Sequence, residues 1–309
     1  MIAVMGAAGN VGRKVAEMLL GQEERVRVLE HQRALDDLAK RGAEVVKGDA
    51  RNVEDLKRLF EDADAALLVL PDVVADPEFV ASRSQMSRVI VDALRGSQVS
   101  HVVVVSSVAA DRSDAAGPPA GLYEFEQLLS ELEALNVLVL RSGPYMDYLL
   151  ANLPLIQSQK INGSALKGDL RIPMVATQDV AREAAERLVR RDFAGRESKS
   201  LLGPQDVTML EATRAIGSLL GEPNLPYVEF PPDGVKRALV QTGMSEEAAS
   251  EIVAMQVALN EGRQLAGVQR TPQSTTPTRL EDFLKETLVP THAAPINGPW
   301  ETSMSAPAY

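Results

Sequence analysis

The chain has no cysteine among its 309 residues, which removes disulfides, thiolate nucleophiles and cysteine-ligated metals together. Histidine is nearly as scarce: His31, His101 and His292 stand far apart, so no metal site is expected. A basic surface is lacking too. Acidic residues outnumber basic ones, 43 to 32, for a formal net charge of −11, and no Lys/Arg stripe supplies the concentrated positive charge that nucleic acid needs. No apolar run reaches membrane-spanning length, and nothing resembling a signal peptide precedes the strand pattern at residue 2; the expected compartment is the cytoplasm, with no membrane partner. Internal repeats are absent. Hydrophobic content of 45% and charged content of 24% are those of an ordinary globular protein, large enough for one α/β core plus a smaller appendage.

What the chain does have is concentrated at its start. The apolar run Ile2-Ala3-Val4-Met5 leads into Gly6-Ala7-Ala8-Gly9-Asn10-Val11-Gly12 and then into the amphipathic stretch from Arg13 to Leu20. A buried strand, a glycine-spaced turn and a helix N-terminus make a phosphate-binding device. Glycine lets the backbone turn tightly and approach a pyrophosphate, and the free N–H groups and helix dipole favour the anion. The spacing is G-x-x-G-x-x-G, so the dinucleotide fingerprint is met in mechanics but not letter for letter. The alternative is an ordinary tight turn between strand and helix. The candidate cofactor contacts here are Gly6, Ala8, Gly9, Asn10, Val11 and Gly12.

Apolar runs and helical patterns alternate as far as residue 140. Strands are expected at residues 25–29, 43–47, 65–70, 101–106 and 137–140, with helices at 34–41, 53–61, 77–95 and 122–135. The run Val102-Val103-Val104-Val105 has no alternation, which implies burial on both faces as in a parallel sheet. Repeated βα units with short links predict a doubly wound parallel sheet of Rossmann type, with its crevice at the carboxyl ends of the strands. Beyond Gly143-Pro144 helical patterns dominate, at 145–157, 178–191, 207–220 and 246–261, with short strands at 171–175, 200–202 and 227–230. The expected division is a dinucleotide-binding domain over 1–150, a smaller, mostly helical substrate lobe over 151–288, partly interleaved with the sheet, and a flexible tail over 289–309.

These segments together resemble the NmrA-like group of atypical short-chain dehydrogenase/reductases over nearly the whole chain. The matching pieces are the glycine turn, Val46-Lys47-Gly48-Asp49-Ala50, Ala63-Asp64-Ala65-Ala66-Leu67-Leu68-Val69, and His101-Val102-Val103-Val104-Val105-Ser106-Ser107. After them come Leu140-Arg141-Ser142-Gly143-Pro144-Tyr145-Met146, Ile172-Pro173-Met174-Val175-Ala176-Thr177-Gln178-Asp179-Val180-Ala181 and Leu202-Gly203-Pro204. The resemblance implies a Rossmann-type domain binding NAD or NADP. It also implies one of two roles: a reductase of small aromatic, quinone-like or carbonyl compounds, or a non-catalytic dinucleotide sensor that regulates a protein partner. A homo-oligomer is a further option.

Glu30, at the tip of the second strand, is placed to accept from the adenosine ribose hydroxyls, which favours NAD. His31 and Arg33 follow directly, and cations in this loop are what a 2′-phosphate needs, for which a neutral imidazole is a poor substitute; all three can also be solvated turn residues, so NAD and NADP both stay open. The resemblance puts Asp49 and Ala50 beside the adenine; Asp49 could equally cap a helix. It puts Leu70-Pro71 against the nicotinamide-side ribose, with Pro144 also at the cofactor, and Ser106 and Ser107 where a hydroxyl nears the substrate or carboxamide. Typical short-chain reductases pair a tyrosine with a lysine four residues on, the ammonium lowering the phenol pKa. Here Tyr123 is followed by Gln127, which carries no charge. The candidate catalytic residues are therefore Ser106 and a weakened Tyr123, with solvent as an alternative proton donor. Lys167 and Arg141 are the remaining cations near crevice loops, the latter expected to pair structurally. Ser107, Tyr145, Met146, Tyr148 and Leu149 are the substrate-binding candidates. Residues 145, 148 and 149 also form one helical stripe, so a core face is the competing reading.

Overall fold

A computed structural model gives the fold and describes residues 1–293. The apolar runs form strands β1 (Ile2–Val4), β2 (Val26–Glu30), β3 (Glu44–Lys47), β4 (Ala65–Val69), β5 (His101–Ser107) and β6 (Asn136–Ser142). The chain then leaves this sheet for the short strand β7 (Asn162–Ser164), returns as β8 (Arg196–Leu201), and leaves again for β9 (Tyr227–Glu229), which pairs with β7 in a separate two-stranded sheet. The main sheet has the order β3-β2-β1-β4-β5-β6-β8, and every pairing is parallel. Val102, Val103 and Val104 of β5 are fully buried, as their unalternating run requires of a strand covered on both faces.

Helices cover the two faces separately. On one side lie α1 (Asn10–Gly21) and α2 (Asp36–Lys40); on the other, α3 (Val53–Phe60), α4 (Phe79–Arg95) and α5 (Pro118–Ser130). Further along come α6 (Leu153–Gln159), α7 (Thr177–Arg190), α8 (Met209–Leu220), α9 (Pro232–Gln241), α10 (Glu246–Asn260) and α11 (Leu280–Ala293). One core joins α1 and α2 to α7 through Val11, Val15, Leu19, Leu38, Val180, Ala184 and Leu188. The opposite core packs Leu56, Phe60, Met86, Ile90 and Phe125 under β4 and β5. A third core, Met146, Leu149, Ile172, Met174, Ile216, Phe283 and Leu284 among others, lies outside the sheet. Among the described residues no helix is long and apolar enough to cross a membrane.

Several boundaries differ from expectation for identifiable reasons. Helix α5 starts at Pro118, not near residue 122, because Pro118 and Pro119 occupy the first turn, where a missing N–H costs nothing. Residues 171–175 are not a strand; Ile172 and Val175 make isolated bridges to Val207 and Tyr145. The expected helix from 145 is instead a 3-10 helix, Met146–Asn152, followed by α6. Pro154 lacks the N–H that a continuous α-helix would direct at the Leu150 carbonyl, and the Leu153 N–H takes that carbonyl with three-residue spacing. Helix α11 reaches into the expected tail; residues 294–309 of that tail lie outside the described residues.

Candidate functional site

Strand order reverses between β1 and β4, which places the binding crevice of an open α/β sheet at that point. The glycine turn sits there. Gly6 has φ +85°, a conformation that a side chain resists. A Cβ on Gly12 would fall inside contact distance of the Gly6 carbonyl oxygen, so the first turn of α1 closes tightly on the loop only because Gly12 has none. The first helical bond runs from the Arg13 N–H to the Gly9 carbonyl at 3.0 Å. The amides of Asn10, Val11 and Gly12 are thus left at the open, positive end of the helix. No side chain caps that end and no acidic residue lies in the first turn. These residues fit a dinucleotide diphosphate.

A crevice open to solvent, with about 900 Å³ of free space in and above it, continues from Gly9, Asn10 and Val11 along the carboxyl ends of β4, β5 and β6. Leu70, Ser106, Ser107, Pro144, Tyr145 and Tyr148 line it, as do Asp72, Arg83, Met255, Leu259 and Gln264, which sequence reasoning missed. Arg83 did leave a signal: it sits on the buried stripe of α4 with Phe79, Met86 and Ile90, and a charge on an apolar stripe calls for a buried partner. That partner is Asp72 at 3.2 Å, with the two side chains 3% and 4% exposed. Burial pushes the Asp72 carboxyl up, and Arg83 pulls it the other way. Met255 and Leu259 carry no sequence signal, since their place depends on how α10 docks.

The 3-10 helix sorts the substrate candidates. Residues three apart eclipse in a 3-10 helix, so Tyr145 and Tyr148 share the crevice side, ring centroids 5.5 Å apart. Met146 and Leu149 share the other side and are buried in the third core, which corrects their placement at the substrate. Tyr123 is not among the crevice-lining residues, which on α5 are Pro118, Pro119 and Leu122. Ser106 does line the crevice, but its Oγ donates to Glu126 Oε1 at 2.6 Å. Arg141 holds that carboxylate in turn, with Nη2 2.6 Å from Oε2, the structural pairing expected of it. The Tyr145 phenol, hydrogen-bonded to Ser142, is pushed up to about 12, chiefly by burial.

Toward the adenine end, Glu30 is only 8% exposed. Its Oε2 accepts from the Leu35 N–H at 2.7 Å and its Oε1 lies 3.5 Å from Lys47 Nζ, so it holds the turn after β2. Arg33 reaches the Ala8 carbonyl of the glycine loop at 3.2 Å. Asp49 stands between His31 at 3.9 Å and Arg51 at 2.7 Å, and the Arg51 guanidinium holds its carboxyl below the usual range. Ala50 is buried in the core under β4, Pro71 lies just beyond the crevice lining, and Lys167 is exposed and outside it.

The model of a protein family described as NAD(P)H-binding matches residues 6–190. No curated protein matches significantly. Among solved structures, a nucleoside-diphosphate-sugar epimerase from Staphylococcus aureus is similar at 19% identity and TM-score 0.77, over 92% of this chain and 99% of its own. An NADPH-dependent quinone oxidoreductase from Escherichia coli, complexed with NADPH, is similar at 20% identity and TM-score 0.73, over 93% and 100%. Triphenylmethane reductase from Citrobacter sp. is similar at 19% identity and TM-score 0.74, over 93% and 99%.

Proposed function

Because the chain belongs to the NAD(P)H-binding family, we propose that it is an NAD(P)H-dependent reductase of the NmrA-like kind, acting on a small aromatic, quinone-like or carbonyl compound. The observation that carries this reading is the continuity of one crevice. The uncapped amides at the start of α1 open into the same space as the apolar wall of Leu70, Val105, Val108, Leu122, Met255 and Leu259. In this reading residues 1–150 hold the dinucleotide and residues 151–288 supply the substrate lobe. A reduced nicotinamide, when bound, supplies a hydride to an electron-poor carbon. The chain's own residues hold the diphosphate at the glycine turn and set a flat ring between the apolar wall and the rings of Tyr145 and Tyr148. Quinone and dye reduction by the structural neighbours support a flat apolar substrate. Ser106 is committed to Glu126 and Tyr123 stands outside the lining, so neither catalytic candidate supplies the proton for the substrate oxygen, and in this reading solvent at the open crevice does.

The test is to incubate the protein with NADH or NADPH and a panel of quinones and aromatic ketones while following nicotinamide absorbance. Oxidation with at least one acceptor is expected. Dinucleotide binding without oxidation by any acceptor would replace this reading with the sensor, which the missing Tyr-Lys pair favours.

A further inference from the structure

Helix α1 carries the diphosphate turn at its start, the 3-10 helix carries Tyr145 and Tyr148 to the crevice, and three side chains join the two. Lys14 lies one turn along α1 from Asn10. Its ammonium donates to the Thr177 hydroxyl at 2.8 Å and to the Asn10 carbonyl at 3.3 Å. The Thr177 hydroxyl donates in turn to Asp147 Oδ1 at 2.8 Å. An ammonium only donates and a carboxylate only accepts, so the hydroxyl between them has one direction. Asp147 is the second residue of the 3-10 helix and stands in the chain between the two crevice tyrosines. Its Oδ2 accepts from the Thr177 N–H at 3.3 Å, at the start of α7, where the residue before the helix offers no side-chain cap. The middle of this relay is sheltered, with Thr177 only 1% exposed. Other fastenings of the 3-10 helix lead elsewhere. Met146 and Leu149 are buried in the third core, which contains no residue of α1, and backbone bonds tie Pro144 and Met146 to Val175. Tyr145 packs against the core that α1 shares with α7, so a shift of the 3-10 helix moves its ring.

We infer that Lys14 and Thr177 are positioning residues for the aromatic side of the crevice: through Asp147 they fix Tyr145 and Tyr148 relative to the diphosphate turn. That placement governs whether a flat ring resting on the tyrosines meets the nicotinamide end of a dinucleotide seated at the turn. The inference deepens the reductase reading and rests on it for the ring and the dinucleotide. The placement of the two tyrosines does not depend on either ligand, and the test reads it separately.

The full chain is labelled with 3-fluorotyrosine, and the fluorine resonances of Tyr145 and Tyr148 are assigned through their phenylalanine variants. Thr177→Val keeps the branched shape and removes the hydroxyl; Lys14→Met removes the ammonium. In both, the Tyr145 and Tyr148 resonances are expected to shift or broaden while those of Tyr123 and Tyr227 stay in place. Thr177→Ser, which restores the hydroxyl, should return the wild-type spectrum. With NADP⁺ or NAD⁺ bound, β-naphthol, which hydride cannot reduce, should bind Thr177→Val about threefold to tenfold more weakly than wild type, the value of one hydrogen bond. NADPH affinity of that variant should stay within about twofold. Should Thr177→Val fail to fold, Lys14→Met carries the test, since its side chain is partly exposed. A folded variant that unfolds more readily in urea yet keeps both tyrosine resonances has lost stability alone, and that result overturns the inference. So does a serine variant that behaves like the valine one. Failure of β-naphthol to bind the wild type, with the tyrosines displaced as expected in the variants, counts against the reductase reading and not against the relay.

Discussion

Gly9 and Gly12 lie three residues apart in one turn and answer to different constraints. The Gly12 Cα faces the Gly6 carbonyl with no room for a Cβ, whereas the nearest atom to a Cβ on Gly9 is that same oxygen at 3.4 Å, an ordinary contact. Gly12→Ala should therefore be a folding defect, costing about 1–3 kcal/mol as an overpacked core position. Gly9→Val should leave stability within about 1 kcal/mol, the usual scale of a helix-cap change, yet weaken dinucleotide binding by at least about tenfold through a clash with the diphosphate. Urea unfolding and NADPH fluorescence titration separate the two effects. If Gly9→Val binds normally, the diphosphate does not lie at this turn. The same scale explains why Ser106 was legible as a crevice residue and its role was not. The strand end placed it, but its hydroxyl is governed by Glu126, twenty residues on, and by Arg141 on the next strand.

At the scale of elements, the 3-10 helix decides what the crevice wall contains. In an α-helix, residues three apart sit about 60° from one another around the axis, whereas in a 3-10 helix they eclipse. Pro154 enforces the latter by withholding its N–H from Leu150. Pro154→Ala should let α6 extend backward, raise the helical circular dichroism slightly and turn Tyr148 away from Tyr145. A several-fold rise in KM for the best quinone acceptor, with NADPH affinity unchanged, is the expected outcome; an unchanged KM and helicity would show that the third core sets this geometry. Legibility at this scale follows the range of the interactions. Val102–Val105 announced β5 because a doubly covered strand needs only local apolar residues. Asn162-Gly163-Ser164 reads locally as a turn and becomes β7 only because residues 227–229 pair with it. Helix α9 has no buried residue to leave a pattern. Helix α11 did leave one, in the helical spacing of Leu280, Phe283, Leu284 and Leu288, which is present in the sequence.

For the whole molecule, the issue is what holds α10 over the crevice. The sheet and its glycine turn are built from neighbouring βα units, but Met255 and Leu259 come from far along the chain. Helix α10 is anchored on α4 by an apolar cluster of Val74, Phe79, Met244, Ala248, Ala249 and Ile252. The Ser245 N–H bonds the Val74 carbonyl at 2.8 Å, and Glu247 accepts from the Val80 N–H at 3.0 Å. At the centre of this joint Arg83 lies 5.4 Å from the Phe79 ring, pairs with Asp72 and donates to the Pro118 carbonyl at 3.1 Å. A buried pair of this kind contributes little net stability, because desolvation offsets the attraction, but breaking it strands a charge. Arg83→Met should thus cost about 3–5 kcal/mol in urea unfolding, whereas Arg83→Met combined with Asp72→Leu should recover most of that loss. If the pair serves only to join these elements, the double variant also keeps NADPH affinity, since neither residue lies in the glycine turn. A single-variant cost below about 1 kcal/mol would place the pair in solvent-like surroundings, and the joint would then rest on the apolar cluster alone.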